Sequence, residues 1–411
     1  MKSMPARRAL AVAFLWLAAL GGCLNGMSAT PAQSPGSAVN YAHLADLVVN
    51  RSWKLAPGER VVLFSDATRD PGIAAPLREA IKKAGGVIEE IAAPDSRADA
   101  GLTPLQRADR FEQWKSLFQR SQAAIWLPSD LSAVGDEPFE HLVEASQVRS
   151  IHFHWFLPPD APDVLIIEAM YQRAIEIEPA EIARRIAVIE KGIRGATVRV
   201  TAPNGTDFTC RIPQNAHMHR NTGEATREKT RDARSVRDRE EELPASVLRT
   251  TDIENAQGTF VGYVSFDTRS GLVRATFKDG KVTALESLRG ADAQVEAWRK
   301  ASGAKDRPGE LVISTNPALA AVLKSGYMPY YGYGAGVVRL AIGDDWESGG
   351  PNRSSNGEFL LFLPGATLTA GPKALINAGV LSLKQPRSQK ASTPAHRKSR
   401  WRGIQEHDDG R

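Results

Sequence analysis

Cysteine is almost absent: Cys23 and Cys210 are the two in 411 residues, too few for a disulfide framework. Long apolar runs are missing as well, which excludes a multi-span membrane protein. Hydrophobic residues at 42 % and charged residues at 24 % exclude a collagenous, coiled-coil or generally disordered chain. Several catalytic signatures are not there. No Gly-x-Gly-x-x-Gly follows a candidate strand and no P-loop occurs, so no nucleotide is implied. His-Glu-x-x-His and the Gly-x-Ser-x-Gly elbow are absent. Ser302-Gly303-Ala304-Lys305 has a serine–lysine spacing without its companion motifs.

The length suits two domains. The formal charge of +5 invites a nucleic-acid reading, but its distribution argues against one. Residues 1–23 carry +3 and residues 384–411 carry +5, which leaves −3 for the body between them. A folded nucleic-acid domain would hold its basic patch in that body, so no nucleic-acid partner is expected.

Lys2, Arg7 and Arg8 precede an apolar run from Ala9 to Leu20, the pattern of a signal peptide. The run ends in Leu20-Gly21-Gly22-Cys23, which resembles a bacterial lipobox with Cys23 as the lipidated residue. Residues 1–23 are therefore expected to be a lipoprotein signal. Leu24 in place of Asp favours a cell-envelope location on the periplasmic side of the outer membrane. Residues 24–40, rich in Ser, Pro, Gly and Ala, read as a flexible tether. Residues 384–411 read as a disordered basic tail. Cys210 reads as a buried core thiol.

Between these ends the pattern changes once. Residues 41–195 alternate helices and strands: strands at Arg60–Phe64, Val87–Ile91, Ala123–Leu127, Ile151–Phe156 and Val164–Ile167, and a long helix from Pro179 with Ile182, Ile186, Ile189 and Ile193 on one stripe. This predicts an α/β domain with a parallel sheet. Residues 196–383 read as an α+β, mainly antiparallel domain, with Asn204-Gly205 and Asp279-Gly280 as tight hairpin turns. Residues 220–242, with balanced basic and acidic side chains, read as a solvated loop or frayed helix.

Two histidine pairs have strand spacing: His217 with His219, near Glu224, and His152 with His154. Either pair would ligate zinc if a carboxylate joined it; the plainer reading is half-buried or surface histidines. Tyr327, Tyr330, Tyr331 and Tyr333 form an aromatic, glycine-rich cluster suited to lining a cleft or covering a core.

The segment Leu55-Ala56-Pro57-Gly58-Glu59-Arg60-Val61-Val62-Leu63 resembles the opening of the aminopeptidase T / aminopeptidase S family of thermophilic metallopeptidases. Thr201–Asp207, Gly309-Glu310-Leu311 with Asn316-Pro317, Leu340–Gly343, Asn352-Arg353-Ser354 and Leu375–Gly379 continue the likeness in order over roughly 41–381. The resemblance implies an N-terminal α/β domain, a C-terminal domain carrying two divalent ions, and a homodimer that removes N-terminal residues from peptides. An extradiol-type dioxygenase acting on dihydroxypyridine shares that fold.

Of six positions that the resemblance marks as ligands, one keeps a suitable donor, Glu310. Ser246, Arg339, Trp346, Gly357 and Phe359 stand at the others, with Glu358 as the remaining donor between the last two. A permanent cation at Arg339 repels a divalent ion and is placed to pair with Glu310. Arg339, Tyr331, Tyr333 and Glu358 are candidates to line the former cleft.

Three readings follow. The first is a membrane-anchored lipoprotein with a degenerate site, a pseudoenzyme in a binding or accessory role for a small molecule or peptide. The second is an active aminopeptidase with a rearranged site around Glu310 using zinc, cobalt or manganese. The third is other chemistry on the same scaffold.

Overall fold

The computed structural model describes residues 39–66, 72–93, 102–127, 136–155, 163–329 and 332–382. The expected signal with Cys23, nearly all of the tether, the basic tail, Tyr330 and Tyr331 lie outside the described residues. Among those described, no helix is long and apolar enough to cross a membrane.

Strands β1 (Arg60–Asp66), β2 (Val87–Ala93), β3 (Ala123–Leu127), β4 (Arg149–Phe153) and β8 (Glu240–Leu243) form one sheet in the order β2-β1-β3-β4-β8. Every neighbouring pair is parallel. Period-two alternation splits its side chains between two cores. Val61, Leu63, Ile125, Ile151 and Phe153 pack with Leu44, Leu77 and Tyr171 on one face. Val62, Phe64, Ala124 and Trp126 pack on the other with Phe118 of α3 (Pro104–Gln119) and Phe139 of α4 (Asp136–Ser146). A parallel sheet covered on both faces is the expected consequence of helical crossovers.

The opening motif is explained by a surface turn that buries the Glu59 side chain. Gly58 takes φ +83°, which glycine permits without a Cβ penalty. The turn folds the Glu59 carboxylate back onto the Ala56 N–H at 2.7 Å. Arg149 of β4 grips the same carboxylate with two hydrogen bonds, 2.7 and 2.9 Å.

The second architecture is a large curled sheet of the strands β5 (Thr197–Ala202), β6 (Thr206–Arg211), β7 (His219–Arg220), β9 (Val247–Thr250), β10 (Glu254–Tyr263), β13 (Pro308–Ser314), β14 (Val338–Gly343), β15 (Glu358–Leu363), β16 (Thr367–Ala370), β17 (Lys373–Asn377) and β18 (Val380–Leu381). Their order is β18-β17-β16-β5-β6-β10-β15-β14-β13-β9-β7, with two further strands, β11 and β12, branching from β10. Its neighbouring pairs are antiparallel. Asp279 and Gly280 join β11 (Leu272–Lys278) to β12 (Lys281–Arg289) with φ of 52° and 75°, the two positive values that a tight hairpin turn requires. The isoleucine stripe lies on the helix Pro179–Ile193, and Cys210 is buried in the same core.

Two expectations are corrected. Val164–Ile167 is not a strand but the first turn of the helix Val164–Glu176. A four-residue apolar run does not discriminate strand from helix; Ile167, Met170, Tyr171 and Ala174 supply the buried helical face. Residues 220–242 are not a solvated loop. They hold Arg220 of β7, two short helices, Arg227–Thr230 and Val236–Arg239, and the buried strand β8, which completes the parallel sheet from within the expected second region.

Candidate functional site: a buried network of carboxylates and guanidiniums

β8 carries three consecutive glutamates, each no more than 2 % exposed. Charged side chains are almost never fully buried unless paired, and here each faces a cation. Alternation sends Glu241 to one side of the sheet, where it meets Lys229 and the Gly223 N–H. Glu240 and Glu242 point to the other, the side of His152, whose position on β4 is in register with Glu242.

Arg237, in the helix Val236–Arg239, bonds to Glu240 and to Glu347 and lies 3.4 Å from Glu140 of α4. Arg249, on β9 (Val247–Thr250), bonds to Glu242, which also accepts from Asn221 at 3.2 Å. Arg339, on β14 (Val338–Gly343), places Nη2 2.9 Å from Glu310 Oε2 and Nη1 2.8 Å from the Tyr333 hydroxyl. Glu310, on β13 (Pro308–Ser314), takes a further hydrogen bond from Ser348 and lies 3.9 Å from Arg249. Tyr333 stands 3.4 Å from both Glu242 and Arg249, which joins the pairs into one network.

The electrostatics follow from this wiring. Burial pushes the Glu310 and Glu242 carboxyls up, but Arg249 with Arg339 for the first, and Arg249 with Arg237 for the second, outweigh it and hold both low. Burial wins at Glu240, which rises to about 7 against Arg237. Glu358 rises well above the carboxylate range through burial and the nearby Glu310 and Glu347 charges. Burial pushes the Tyr333 phenol up to about 12. His152 and His154 are depressed mainly by burial, so both rings are neutral at pH 7.

Each sequence-derived position can now be placed. Glu310, Arg339, Tyr333 and Glu358 come together. Arg339 and Tyr333 are 4 % and 1 % exposed; their polar ends are spent on each other and on Glu310 and Glu242, so they do not line an open cleft. Ser246 is fully buried, and its hydroxyl has no hydrogen-bond partner among the described residues. Trp346 stacks on His141 with ring centroids 4.5 Å apart, and forms one wall of a cavity of about 250 Å³ that Arg234, Arg239 and Arg353 also line. Gly357 is an exposed turn residue with φ +63°, and Phe359 is part of the antiparallel core.

The donor set at these positions does not fit a pair of divalent ions. Such a centre needs several anionic or imidazole ligands around each metal; here the lone Glu310 carboxylate is already taken by Arg339, Ser348 and the nearby Arg249. No step through metals at that place follows.

The histidine pairs part company. His217 Nε2 lies 3.0 Å from both Asp238 oxygens, and His219 Nδ1 lies 3.6 Å from one of them. Glu224 is turned to Lys54 instead, at 3.1 Å. His152 and His154 are buried edge to face, ring centroids 3.5 Å apart. Lys305 Nζ donates to the Arg299 carbonyl, with no serine–lysine dyad formed. Arg237, Glu240, Glu242 and Arg249 went unnoticed in the sequence. The available signal was two glutamates two apart leading straight into Leu243-Pro244, with Arg249 beyond.

A covered parallel sheet joined to a curled antiparallel sheet makes an aminopeptidase-T-like fold. No protein-family model matches the sequence, and no curated protein does. Among solved structures, AmpT from Thermus thermophilus is similar at a TM-score of 0.58 and 14 % identity, over 83 % of this chain and 98 % of that one. The 2,5-dihydroxypyridine dioxygenase from Pseudomonas putida KT2440 is similar at 0.58 and 13 %, over 83 % and 96 %. At such identities the likeness is one of fold.

Proposed function

We propose that this chain is a lipid-anchored envelope protein of aminopeptidase-T-like fold, in which a buried ion-pair network has replaced a two-metal peptidase site, and which acts by binding. The observation that carries this reading is the Arg339–Glu310 pair. A guanidinium bonded to the one retained family carboxylate supplies the positive charge that metals would otherwise bring, and cannot be deprotonated to admit them. A fold shared by a peptidase and a dioxygenase sets no activity by itself.

The test is release of amino acids from a panel of unblocked peptides, with zinc, cobalt or manganese added and with chelator as control. No chelator-sensitive release is the expected result. Release that chelator stops and Glu310→Gln abolishes would establish instead an active aminopeptidase with a rearranged site. Anchoring is tested separately: Cys23→Ala should move the protein from the membrane to the soluble fraction.

A further inference from the structure

Among the described residues, Arg237 is shared by Glu140, Glu240 and Glu347, with Glu242, itself paired with Arg249, 3.7 Å away. Carboxylates gathered on one guanidinium in a low-dielectric interior are favoured by protons or a cation.

One place in the network has the donors for a cation. One oxygen each from Glu140 and Glu240 and a ring nitrogen of His152 lie within 4.8 Å of one another, and all three residues are buried. They come from three elements, α4, β8 and β4, so the convergence is a product of the fold. Glu140 and Glu240 both turn Oε1 to Arg237. The other oxygen of Glu240, Oε2, is buried and has no hydrogen-bond partner among the described residues, in a residue only 1 % exposed. A buried acceptor without a donor is a costly arrangement that a bound ion relieves.

We infer that Glu140, His152 and Glu240 form a metal site for one zinc-class divalent ion, apart from the position of Glu310. One nitrogen and two carboxylate donors suit zinc and disfavour magnesium or calcium, which prefer all-oxygen shells. Zinc donors at about 2.0–2.2 Å stand roughly 3.3–3.5 Å apart, so the carboxylates draw inward by about an ångström on binding. The ion adds positive charge beside these carboxylates, with Arg237 as an outer partner orienting both of them. Its burial makes it structural, clamping α4 to the edge of the parallel sheet.

The test uses the purified chain, stripped by chelator and titrated with zinc chloride or magnesium chloride, read by calorimetry and by metal content after gel filtration. Retention of one zinc per chain, a raised Tm and no retention of magnesium are expected. His152→Gln and Glu240→Gln should each weaken zinc binding on the order of 100-fold, while Glu310→Gln leaves it unchanged. If either variant fails to fold, the wild-type protein still decides: zinc should shift the ring NMR signals of His152 and leave those of His217 in place. No retained zinc, equal binding in Glu240→Gln, or shifts at His217 alone would overturn the inference. Loss of binding in Glu310→Gln alone would overturn both this site and the proposed function; zinc lost with Glu240→Gln alongside chelator-sensitive peptidase activity would overturn only the function.

Discussion

Arg339 and Glu310 meet from adjacent strands, Nη2 2.9 Å from Oε2, with neither side chain more than 5 % exposed. Removing one member leaves a buried charge without its partner, which costs about 3–5 kcal/mol, whereas replacing both with apolar or neutral groups of like volume is often neutral. Arg339→Met is therefore expected to lower stability by about that amount. Arg339→Met combined with Glu310→Gln should recover much of the loss. Urea unfolding of the single and double variants measures this. Additive losses in the cycle would mean that the two residues do not act as a pair.

The same network shows where the sequence was readable. Apolar periodicity located β1, β2 and β3 and the Pro179–Ile193 helix, because burial of a repeated apolar face is what makes those elements form. It failed at Glu240–Leu243. Three glutamates read as solvated because charge is ordinarily exposed, and their cations, Lys229, Arg237 and Arg249, reach them only through the fold. At Val164–Ile167 it failed for another reason: four apolar residues are too short a window for a period. Glu310 and Arg339 were legible as positions, since each sits in a motif with a family likeness. Of the two residues that tie that pair to Glu242, Tyr333 is marked by its aromatic, glycine-rich cluster, though as a cleft residue, and Arg249 carries no mark of its own.

Glu59 gives a pH-dependent prediction. Burial alone would raise its carboxyl; hydrogen bonds from Arg149, Ala56 and Arg227 outweigh that and hold it below its ordinary value. A carboxyl depressed in the folded state contributes stability that is present above its unfolded pKa, about 4.3, and lost as pH falls through the lower folded value. Glu59→Gln should therefore cost about 3–5 kcal/mol at neutral pH, and flatten the acid limb of stability against pH. An acid limb as steep as that of the parent would show that other carboxylates govern it.

Two glycines with similar backbones should respond differently to a methyl group. Gly205 has φ +97° and Gly336 φ +80°, so alanine at either incurs the roughly 1–2 kcal/mol of a left-handed L-residue. Around Gly205 a Cβ would meet nothing within 4 Å, while at Gly336 it would fall 1.8 Å from the Gly379 carbonyl oxygen. Gly336→Ala must move one backbone segment away from the other, and should lose clearly more than Gly205→Ala. Thermal unfolding of the two variants side by side tests this; equal losses would mean that the 336–379 contact is easily relaxed.

His217 and His219 share Asp238 but should titrate in opposite directions. The hydrogen bond to Asp238 raises the His217 ring above 6.5. Burial depresses His219 to about 4, although Asp238 pulls the other way. By linkage, His217 contributes stability that is full below its unfolded pKa and is lost as pH rises through its higher folded value. His219 does the reverse: the unfolded chain takes up its proton first, so stability declines as pH falls from about 6.5 toward 4. Ring NMR titration should find His217 above and His219 well below the ordinary histidine value. Asp238→Asn should bring His217 down toward it and depress His219 further, because the Asp238 charge that favours its protonated ring is removed. A His219 signal that titrates near 6.5 in the folded protein would contradict its burial.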